Sequence, residues 1–280
     1  MPFTTNAGTR IYWEEDGQDG QEGREGQERQ QPLLLIMGLG ATLEWWHNIR
    51  PVLAARFRTI LFDNRGVGRS DVPPAPYSIE QMADDAAAVL DAAAVTRAHV
   101  VGLSMGGCIA QELVLRHPAR VRSLVLGCTS CGGRDAAPAE AEVRAALTSR
   151  ASMSREEAMW QMAPYTFDAS TPREVIAQEF ALRLRITVSN DGFFAQLQAI
   201  RAWAGALSRL PTIAVPTLVI HGETDRLVPP ENARTLAEAI PNARLVMLPR
   251  ASHIFLTDRF EPARDAMLSF LDQASAVSSL

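Results

Sequence analysis

Six short, mostly apolar runs recur along the chain, and they constrain its fold more than any other feature. The runs lie at 33–37, 59–62, 99–101, 123–126, 217–220 and 244–248. Such runs are typical of strands covered on both faces, as in a parallel sheet. Helical patterns separate them: Ser78 is expected to cap one helix that reaches about Ala94, and Pro118 to end another. The alternation predicts an α/β fold with a doubly wound, mostly parallel sheet.

The alternation is interrupted between about Gly133 and Pro211, where the sequence is almost entirely helical in character. A helical block within an α/β alternation indicates an inserted cap. We therefore expect a core in two parts, residues 1–132 and 212–280, with a helical cap at 133–211.

Two further expectations concern the first thirty residues. Residues 10–14 are expected to form an edge strand. Residues 16–31 are almost all Gly, Gln, Glu and Arg and have no apolar side chain to bury, which favours a solvated, mobile loop. A binding tail is the less favoured alternative, since mixed charges seldom make a specific patch.

Composition argues against several classes of function. The net charge is −5 without a basic block, which disfavours a nucleic-acid partner. No apolar run approaches the length of a membrane span, and the first residues lack the features of a signal peptide. We therefore expect a soluble, cytoplasmic protein that needs no membrane.

The three cysteines do not suggest a disulfide framework. Cys128 and Cys131 are spaced like a redox or metal pair, but no second pair of ligands accompanies them. We expect them to be small thiols that line a pocket, and Cys108 to be buried filler. No metal ion and no organic cofactor is expected.

The segment Gly102-Leu-Ser104-Met-Gly106 stands between a β-branched run and a helical pattern. In that setting Gly-x-Ser-x-Gly describes a nucleophile elbow, a tight strand-to-helix turn with the serine at its apex. Side chains at the glycine positions would clash with the neighbouring strand and helix, and the helix dipole favours a developing negative charge. A chance match in a Gly-rich loop is the alternative.

A serine nucleophile needs a base within reach and an acid that orients the base. Asp225 follows the run at 217–220, and His253 follows the run at 244–248, so both belong to the carboxyl edge of the sheet with Ser104. The order Ser, Asp, His is the one expected for this elbow. A turn aspartate and a surface histidine are the separate alternatives. Together with Ser104, the combination favours catalysis.

Other candidates for these roles are weaker. Asp135 is a rival acid, but it comes several residues after the run at 123–126. His47, His99, His117 and His221 lack a position compatible with the base, and His221 is expected to be structural within its turn.

These motifs give the chain a clear likeness. It resembles the α/β-hydrolase family, in particular the helical-cap branch that includes carboxylesterases, enol-lactonases, C–C bond hydrolases, epoxide hydrolases and cofactor-free haloperoxidases. The likeness covers nearly the whole chain and depends on five motifs in the family's order. They lie at 35–38, 62–70, 102–107, 221–225 and 252–253.

The resemblance implies a covalent acyl-enzyme. Ser104 would be the nucleophile, His253 the general base and then the general acid, and Asp225 the orienting carboxylate. Dehalogenases and epoxide hydrolases of the family carry an aspartate in place of the serine, so those reactions are disfavoured.

The oxyanion of acyl transfer needs hydrogen-bond donors. One is expected to be the backbone N–H of Met105, directly after the serine. The family's His-Gly-x motif matches residues 37–39 and makes the N–H of Leu39 the other donor. This chain has Met37 in place of the histidine, which leaves open how the loop is braced. Trp45 and Trp46 are expected mainly to pack helix against sheet.

Residues 63–68 are expected to form a braced turn rather than a wall of the site. The cap is rich in large apolar side chains, of which Trp160, Phe193 and Trp203 are the candidate substrate contacts. Little of the cap is charged, so we expect a medium-sized hydrophobic ester or lactone as the substrate. The alternatives are an enol-lactone or C–C bond hydrolase, or a non-catalytic ligand receptor on the same fold.

Overall fold

A single sheet organises the structure. A computed structural model describes residues 3–17, 30–149 and 152–277. The strands are β1 (Phe3–Asn6), β2 (Thr9–Asp16), β3 (Pro32–Ile36), β4 (Arg58–Phe62), β5 (Ala98–Leu103), β6 (Val121–Gly127), β7 (Thr217–Gly222) and β8 (Ala243–Leu248). Their order is β1-β2-β4-β3-β5-β6-β7-β8, with β3 to β8 parallel and the β1–β2 hairpin joined antiparallel at one edge. The predicted mostly parallel sheet is confirmed.

The helices connect these strands. They are α1 (Arg50–Ala54), α2 (Ile79–Ala92), α3 (Met105–Arg116), α4 (Ala141–Ser149), α5 (Arg155–Thr166), α6 (Arg173–Arg183), α7 (Asn190–Ala202), α8 (Glu231–Ala239), α9 (Phe255–Asp258) and α10 (Phe260–Val277). Within the described ranges, no helix is both long and apolar enough to cross a lipid bilayer.

Helices α4 to α7 all lie between β6 and β7, and the described residues of that stretch form no strand. We call residues 133–211 the cap segment. Its two ends meet, because Ala206 donates its N–H to the carbonyl of Cys131 over 2.8 Å. The division of the chain into a core and a cap at these boundaries stays a prediction.

Both faces of the sheet are buried along the strands β3 to β7, as their continuous apolar runs predict, whereas the outer strand β8 is mostly half-buried. Leu34 and Val100 pack with α2 and α3 on one face, whereas Leu35 and Val101 pack with α10 on the other. Successive residues of a strand point to opposite faces, so a strand that is apolar at every position supplies two layers of core. The doubly wound arrangement follows from this.

Local signals place the helix ends well. The hydroxyl of Ser78 accepts the N–H of Gln81 over 3.1 Å and caps α2. Helix α3 ends at Arg116, before Pro118, which starts a short 3-10 turn. Both predictions are confirmed.

Residues 10–14 form a strand as expected, within β2, but the expected edge position is wrong. Strand β1 pairs with β2 and takes the edge position itself. The four residues of β1 are Phe-Thr-Thr-Asn, which is too short and too polar to produce an apolar run.

The predicted mobile loop at 16–31 falls largely on residues 18–29, which lie outside the described residues. Its two ends are part of the folded structure. Asp16 is the last residue of β2 and forms an ion pair with Arg50. Gln31 places Oε1 2.8 Å from Nε2 of His99. At these two positions the expectation of a solvated loop is wrong.

His99 provides a test of how burial affects stability. The side chain is fully buried near the amino end of β5, where Nδ1 lies 2.7 Å from Oγ of Ser123. Burial, assisted by the positive charges of Arg122 and Arg97, lowers the pKa of His99 to about 4.

We expect the free energy of unfolding to decrease as the pH falls from about 6.5 toward 4. An unfolded histidine titrates near 6.5, so the unfolded state takes up the proton first and is favoured by acid. His99→Gln removes this titration. Urea denaturation at pH 7, 6 and 5 measures the free energy of unfolding. Between pH 7 and pH 5 the wild-type protein should lose about 2 kcal/mol more of it than the variant. If the free energy of unfolding fell equally with pH in both proteins, the lowered pKa of His99 would be contradicted.

Candidate active site

Ser104 forms the turn between β5 and α3. Its backbone has φ 56° and ψ −123°, a conformation that residues with side chains rarely adopt. The N–H of Ser104 donates to the carbonyl of Gly127 over 2.8 Å, and its carbonyl accepts the hydroxyl of Thr129 over 2.7 Å. Contacts from the end of β6 therefore hold the strained turn in place.

The flanking glycines are required by close backbone approaches. A Cβ at Gly102 would overlap the carbonyl of Gly106 in the first turn of α3. A Cβ at Gly106 would overlap the carbonyl of Ile36 at the end of β3. The clashes expected from the sequence are therefore present, and they explain why the motif needs glycine at both positions.

Asp225 lies three residues beyond the end of β7 and its side chain is fully buried. Its Oδ1 accepts the N–H groups of Leu227 and Val228 over 2.9 and 2.8 Å. Its Oδ2 lies 2.8 Å from Nδ1 of His253 and 3.2 Å from Nε2 of His221. Burial alone would raise the pKa of Asp225, but the two histidines outweigh it and the pKa is lowered. The carboxylate is therefore charged near neutral pH.

His221 is a partner of the acid that the sequence analysis assigned only to its turn. It is fully buried, and its Nε2 lies 2.8 Å from the carbonyl oxygen of Val228. A carbonyl only accepts, so Nε2 must carry the hydrogen, and this N–H also faces Asp225. His221 thus holds both the turn and the carboxylate.

The loop that carries His253 follows β8 and is fixed from both sides. Ser252 donates its N–H to the carboxylate of Asp258 over 2.8 Å, and Ile254 donates its N–H to the carbonyl of Thr166 over 2.9 Å. Thr166 is the last residue of α5, so the cap segment holds this loop. With its Nδ1–H donated to Asp225, the ring of His253 keeps Nε2 available to accept a proton.

The rival acid Asp135 lies elsewhere. It is exposed in a short turn, and its nearest ion-pair partner is Arg134 at 4.0 Å. Asp225 is the carboxylate that contacts His253.

Ser104 and His253 line one cavity of about 320 Å³. Within the described residues, no hydrogen bond joins the hydroxyl of Ser104 to the ring of His253. Such contacts are often long in unliganded sites and tighten when substrate binds. The walls are mainly apolar, with contributions from Met159, Met162, Phe180, Phe193, Leu197 and Ile200.

Of the three aromatic residues predicted to contact substrate, Phe193 lines the cavity. The described lining does not include Trp160 or Trp203. Trp160 packs edge-on against Phe180 at 5.0 Å between ring centroids. Trp203 donates Nε1–H to Glu112 over 2.8 Å and packs in the core. Helical periodicity assigns large apolar side chains to one face of a helix, but it does not tell whether that face borders a cavity or the core.

The structure also corrects the expectation that little of the cap over Ser104 is charged. Glu179 and Arg183, one turn apart on α6, form a buried ion pair with 2.7 Å between Oε1 and Nε, and both line the cavity. Burial would raise the pKa of Glu179, but His47 and Arg183 lower it to about 2. Trp45 also lines the cavity, with the guanidinium of Arg183 4.0 Å from its ring centroid.

Trp46 packs in the core as expected. The cysteines differ in part from expectation. Cys128 lines the cavity as predicted. Cys108, expected to be buried filler, also lines it, whereas Cys131 is buried and is not among the residues described as lining the cavity. Burial raises the pKa of Cys108 to about 12 and that of Cys128 well above its ordinary value. Both thiols therefore stay protonated and suit packing better than redox chemistry.

The two predicted oxyanion donors lie beside the serine. A Cβ built at Gly38 would be 2.9 Å from Cβ of Ser104, so the loop that carries Leu39 is in contact with Ser104. Leu39 and Met105 both line the cavity. Among the described residues, neither backbone N–H donates to a protein acceptor. Both N–H groups are therefore free to donate to a bound ligand.

The residues after β4 brace this loop where Met37 replaces the family's histidine. Asn64 donates its side-chain amide to the carbonyl of Met37 over 2.9 Å. Asp63 accepts the N–H groups of Leu43 and Arg69, each over 2.8 Å. The expectation of a braced turn at 63–68 is confirmed.

Arg65 forms a separate buried ion pair from the same turn. Its Nε and Nη2 each lie 2.6 Å from the carboxylate of Asp85 on α2. Arg65 therefore ties the turn to α2.

Comparison with known proteins agrees with this architecture. The family model described as alpha/beta hydrolase fold matches residues 31–260. RutD of Azorhizobium caulinodans, which its name assigns to carbamate hydrolysis, is 32% identical over 273 residues that cover 96% of this chain and 98% of that protein. A poly(3-hydroxyalkanoate) depolymerase of Ectopseudomonas oleovorans is 32% identical over 243 residues, 86% of this chain and 84% of its own.

Among solved structures, the enol-lactonase from Burkholderia xenovorans LB400 superposes with a TM-score of 0.83 and 30% identity. The match covers 97% of this chain and 100% of that one.

We expect a fluorophosphonate probe to label Ser104, because His253, a candidate base, and Leu39 and Met105, whose N–H groups have no protein acceptor among the described residues, line the same cavity. Mass spectrometry of the labelled protein should locate the adduct on Ser104, and Ser104→Ala should abolish it. Ser130→Ala is the matched control, since Ser130 also lines the cavity but has no paired base. Labelling that survives Ser104→Ala would contradict the site.

Proposed function

The chain belongs to the alpha/beta hydrolase fold family, and on that premise we propose that it hydrolyses carboxylic esters or lactones through an acyl-enzyme formed on Ser104. The observation that carries the proposal is the buried pair of Asp225 and His253, whose ring shares a cavity with Ser104. A nucleophile, an oriented base and two open N–H donors are the components that acyl transfer needs.

In the first half of the reaction, Nε2 of His253 takes the proton from the hydroxyl of Ser104 as Oγ attacks the carbonyl carbon. The carbonyl oxygen becomes an oxyanion and accepts the N–H groups of Leu39 and Met105. Asp225, kept charged by its partners, stabilises the imidazolium that forms. The amino end of α3 adds a favourable dipole at the same place.

The first half ends when the tetrahedral intermediate collapses: the bond from its carbon to the leaving oxygen breaks, the imidazolium of His253 gives its proton to that alkoxide, and the acyl group stays on Ser104. In the second half, a water molecule loses a proton to Nε2 and attacks the acyl carbon. The tetrahedral intermediate collapses, and Oγ recovers the proton from His253. An ester and water give an acid and an alcohol, and a lactone and water give a hydroxy acid.

The cavity supports a hydrophobic substrate of modest size. Its volume of about 320 Å³ is near the lower end of the range of small-molecule sites, about 300–1,000 Å³. The walls carry methionine, phenylalanine and leucine side chains. The buried pair of Glu179 and Arg183 is mutually neutralised, so it does not favour a strongly charged substrate.

A second candidate is hydrolysis of an enol-lactone. It is favoured by the similarity to the enol-lactonase, which extends over nearly all of both chains. The same groups would act, and only the ring of the substrate would differ.

We expect p-nitrophenyl esters with short or medium acyl chains to be hydrolysed, with kcat/KM falling once the chain outgrows the cavity. Release of p-nitrophenol measures this series, and pH-stat titration measures a matched set of lactones. A p-nitrophenyl carbamate belongs in the panel because of the similarity to RutD. Activity confined to highly charged substrates, or none in a protein that also resists the probe, would contradict the proposal.

We expect Asp225→Asn to lower kcat by about three to four orders of magnitude, since an amide cannot hold the imidazole in the tautomer that accepts the serine proton. KM should change little, because Asp225 is behind the histidine and does not face the substrate. Asp135→Asn, at an exposed aspartate, is the control and should keep wild-type kcat. A fall of less than 10-fold in Asp225→Asn would show that another group orients His253.

A further inference from the structure

The side chain of Gln196 joins the cap segment to the catalytic edge of the sheet. It lies on α7 and is fully buried. Its Oε1 accepts the N–H of Gly40 over 2.9 Å, and its Nε2 donates to the carbonyl of Arg65 over 2.7 Å. The partners fix the orientation of the amide, since one can only donate and the other can only accept.

Gly40 directly follows Leu39, the proposed oxyanion donor. The segment is a tight turn in which Ala41 donates its N–H to the carbonyl of Gly38 over 3.3 Å, with Gly40 at φ 64°. The peptide between Gly38 and Leu39 is planar and trans, so its C=O and N–H point in opposite directions. Fixing the Gly38 carbonyl therefore also fixes the direction of the Leu39 N–H.

The next peptide of the turn joins Leu39 to Gly40. Among the contacts described, only those from α7 fix it. Gln196 binds the N–H of Gly40, and the ring of Phe193 covers its Cα: a Cβ there would be 2.6 Å from Cδ2 of Phe193. Only the two backbone torsions of Leu39 lie between the two anchored peptides. The direction of its N–H is therefore set by this pair of anchors.

We infer that Gln196 is a positioning residue for the oxyanion hole, acting through Gly40 on the N–H of Leu39. The inference depends on the proposed function. It gives the loop a second brace besides Asn64, at the opposite end from Met37. Gln196 does not line the cavity in the described structure, so its effect should appear on the transition state and not on substrate binding.

The test uses Gln196→Met, which keeps the length of the side chain and removes both hydrogen bonds. Loss of a whole oxyanion donor costs about 100-fold to 1,000-fold in kcat. A donor that is merely released from its optimal direction should cost about 10-fold to 100-fold, with KM changed less than about 2-fold.

Inhibition by 1-butaneboronic acid supplies the readout that a purely structural role would not move. Oγ of Ser104 adds to the trigonal boron while Nε2 of His253 takes the hydroxyl proton, and one of the two boron-bound hydroxyls of the tetrahedral anionic adduct takes the place of the oxyanion. The inhibition constant should rise in Gln196→Met in proportion to the loss of kcat. Gln196→Glu keeps an acceptor for the N–H of Gly40, so it should lose less kcat and less affinity for the boronic acid. It serves for the same test if Gln196→Met does not fold.

Ser123→Ala is the matched control. It also removes a buried hydrogen bond, to His99 near the amino ends of β5 and β6, and should lower the melting temperature while leaving kcat and boronate inhibition unchanged. Wild-type kcat and inhibition in a folded Gln196→Met, or a lower kcat with unchanged inhibition, would overturn the inference while the proposed function stands. A wild-type protein with neither turnover nor labelling of Ser104 would overturn both.

Discussion

Taking a carboxylate out of water costs several kcal/mol unless hydrogen bonds and opposite charge replace the lost hydration. The carboxylate of Asp225 is fully buried, and four donors compensate it, two from the backbone after β7 and two from His253 and His221. Because the buried carboxylate depends on these four donors in place of water, the donors are held in one arrangement. The orientation of His253, and with it the proposed chemistry of Ser104, follows from that requirement.

The cap segment takes a direct part in this order. The carbonyl of Thr166 accepts an N–H from the loop of His253, and Glu179 accepts the hydroxyl of Thr257 on α9. On the other side, Gln196 reaches the loops after β3 and β4. The loops after β3, β4 and β8 are thus each held by a hydrogen bond to the cap segment, which favours a fixed cover over a swinging lid.

The sequence predicts the sheet and the order of Ser104, Asp225 and His253 because those signals are local. Each side chain lies at most five residues after the end of a strand whose apolar run can be recognised, and parallel strands bring their carboxyl ends to one edge. The mostly polar strand β1 gives no such signal. Glu179 and Arg183 have the i, i+4 spacing of an ion pair, a hint that they interact, but only the docking of α6 tells that the pair is buried.

Gln196 and Asn64 are harder still to foresee. Their partners are distant in the chain or belong to the backbone, and an amide side chain has no pattern that distinguishes a brace from a surface residue. The same limit explains Trp160 and Trp203, whose large apolar side chains mark them as buried residues but do not tell whether they point into the cavity or into the core.

The close contact of α7 with the loops has a consequence for how such an enzyme could change its preferences. A Cβ at Gly192 would overlap the carbonyl of Gly66, so one face of α7 has no room for variation. Met159 and Met162 on α5 also line the cavity, and their side chains are unbranched and adaptable. Divergence toward new substrates, whether by natural drift or by laboratory selection, should accumulate on α5 and spare the face of α7 that carries Gly192 and Gln196.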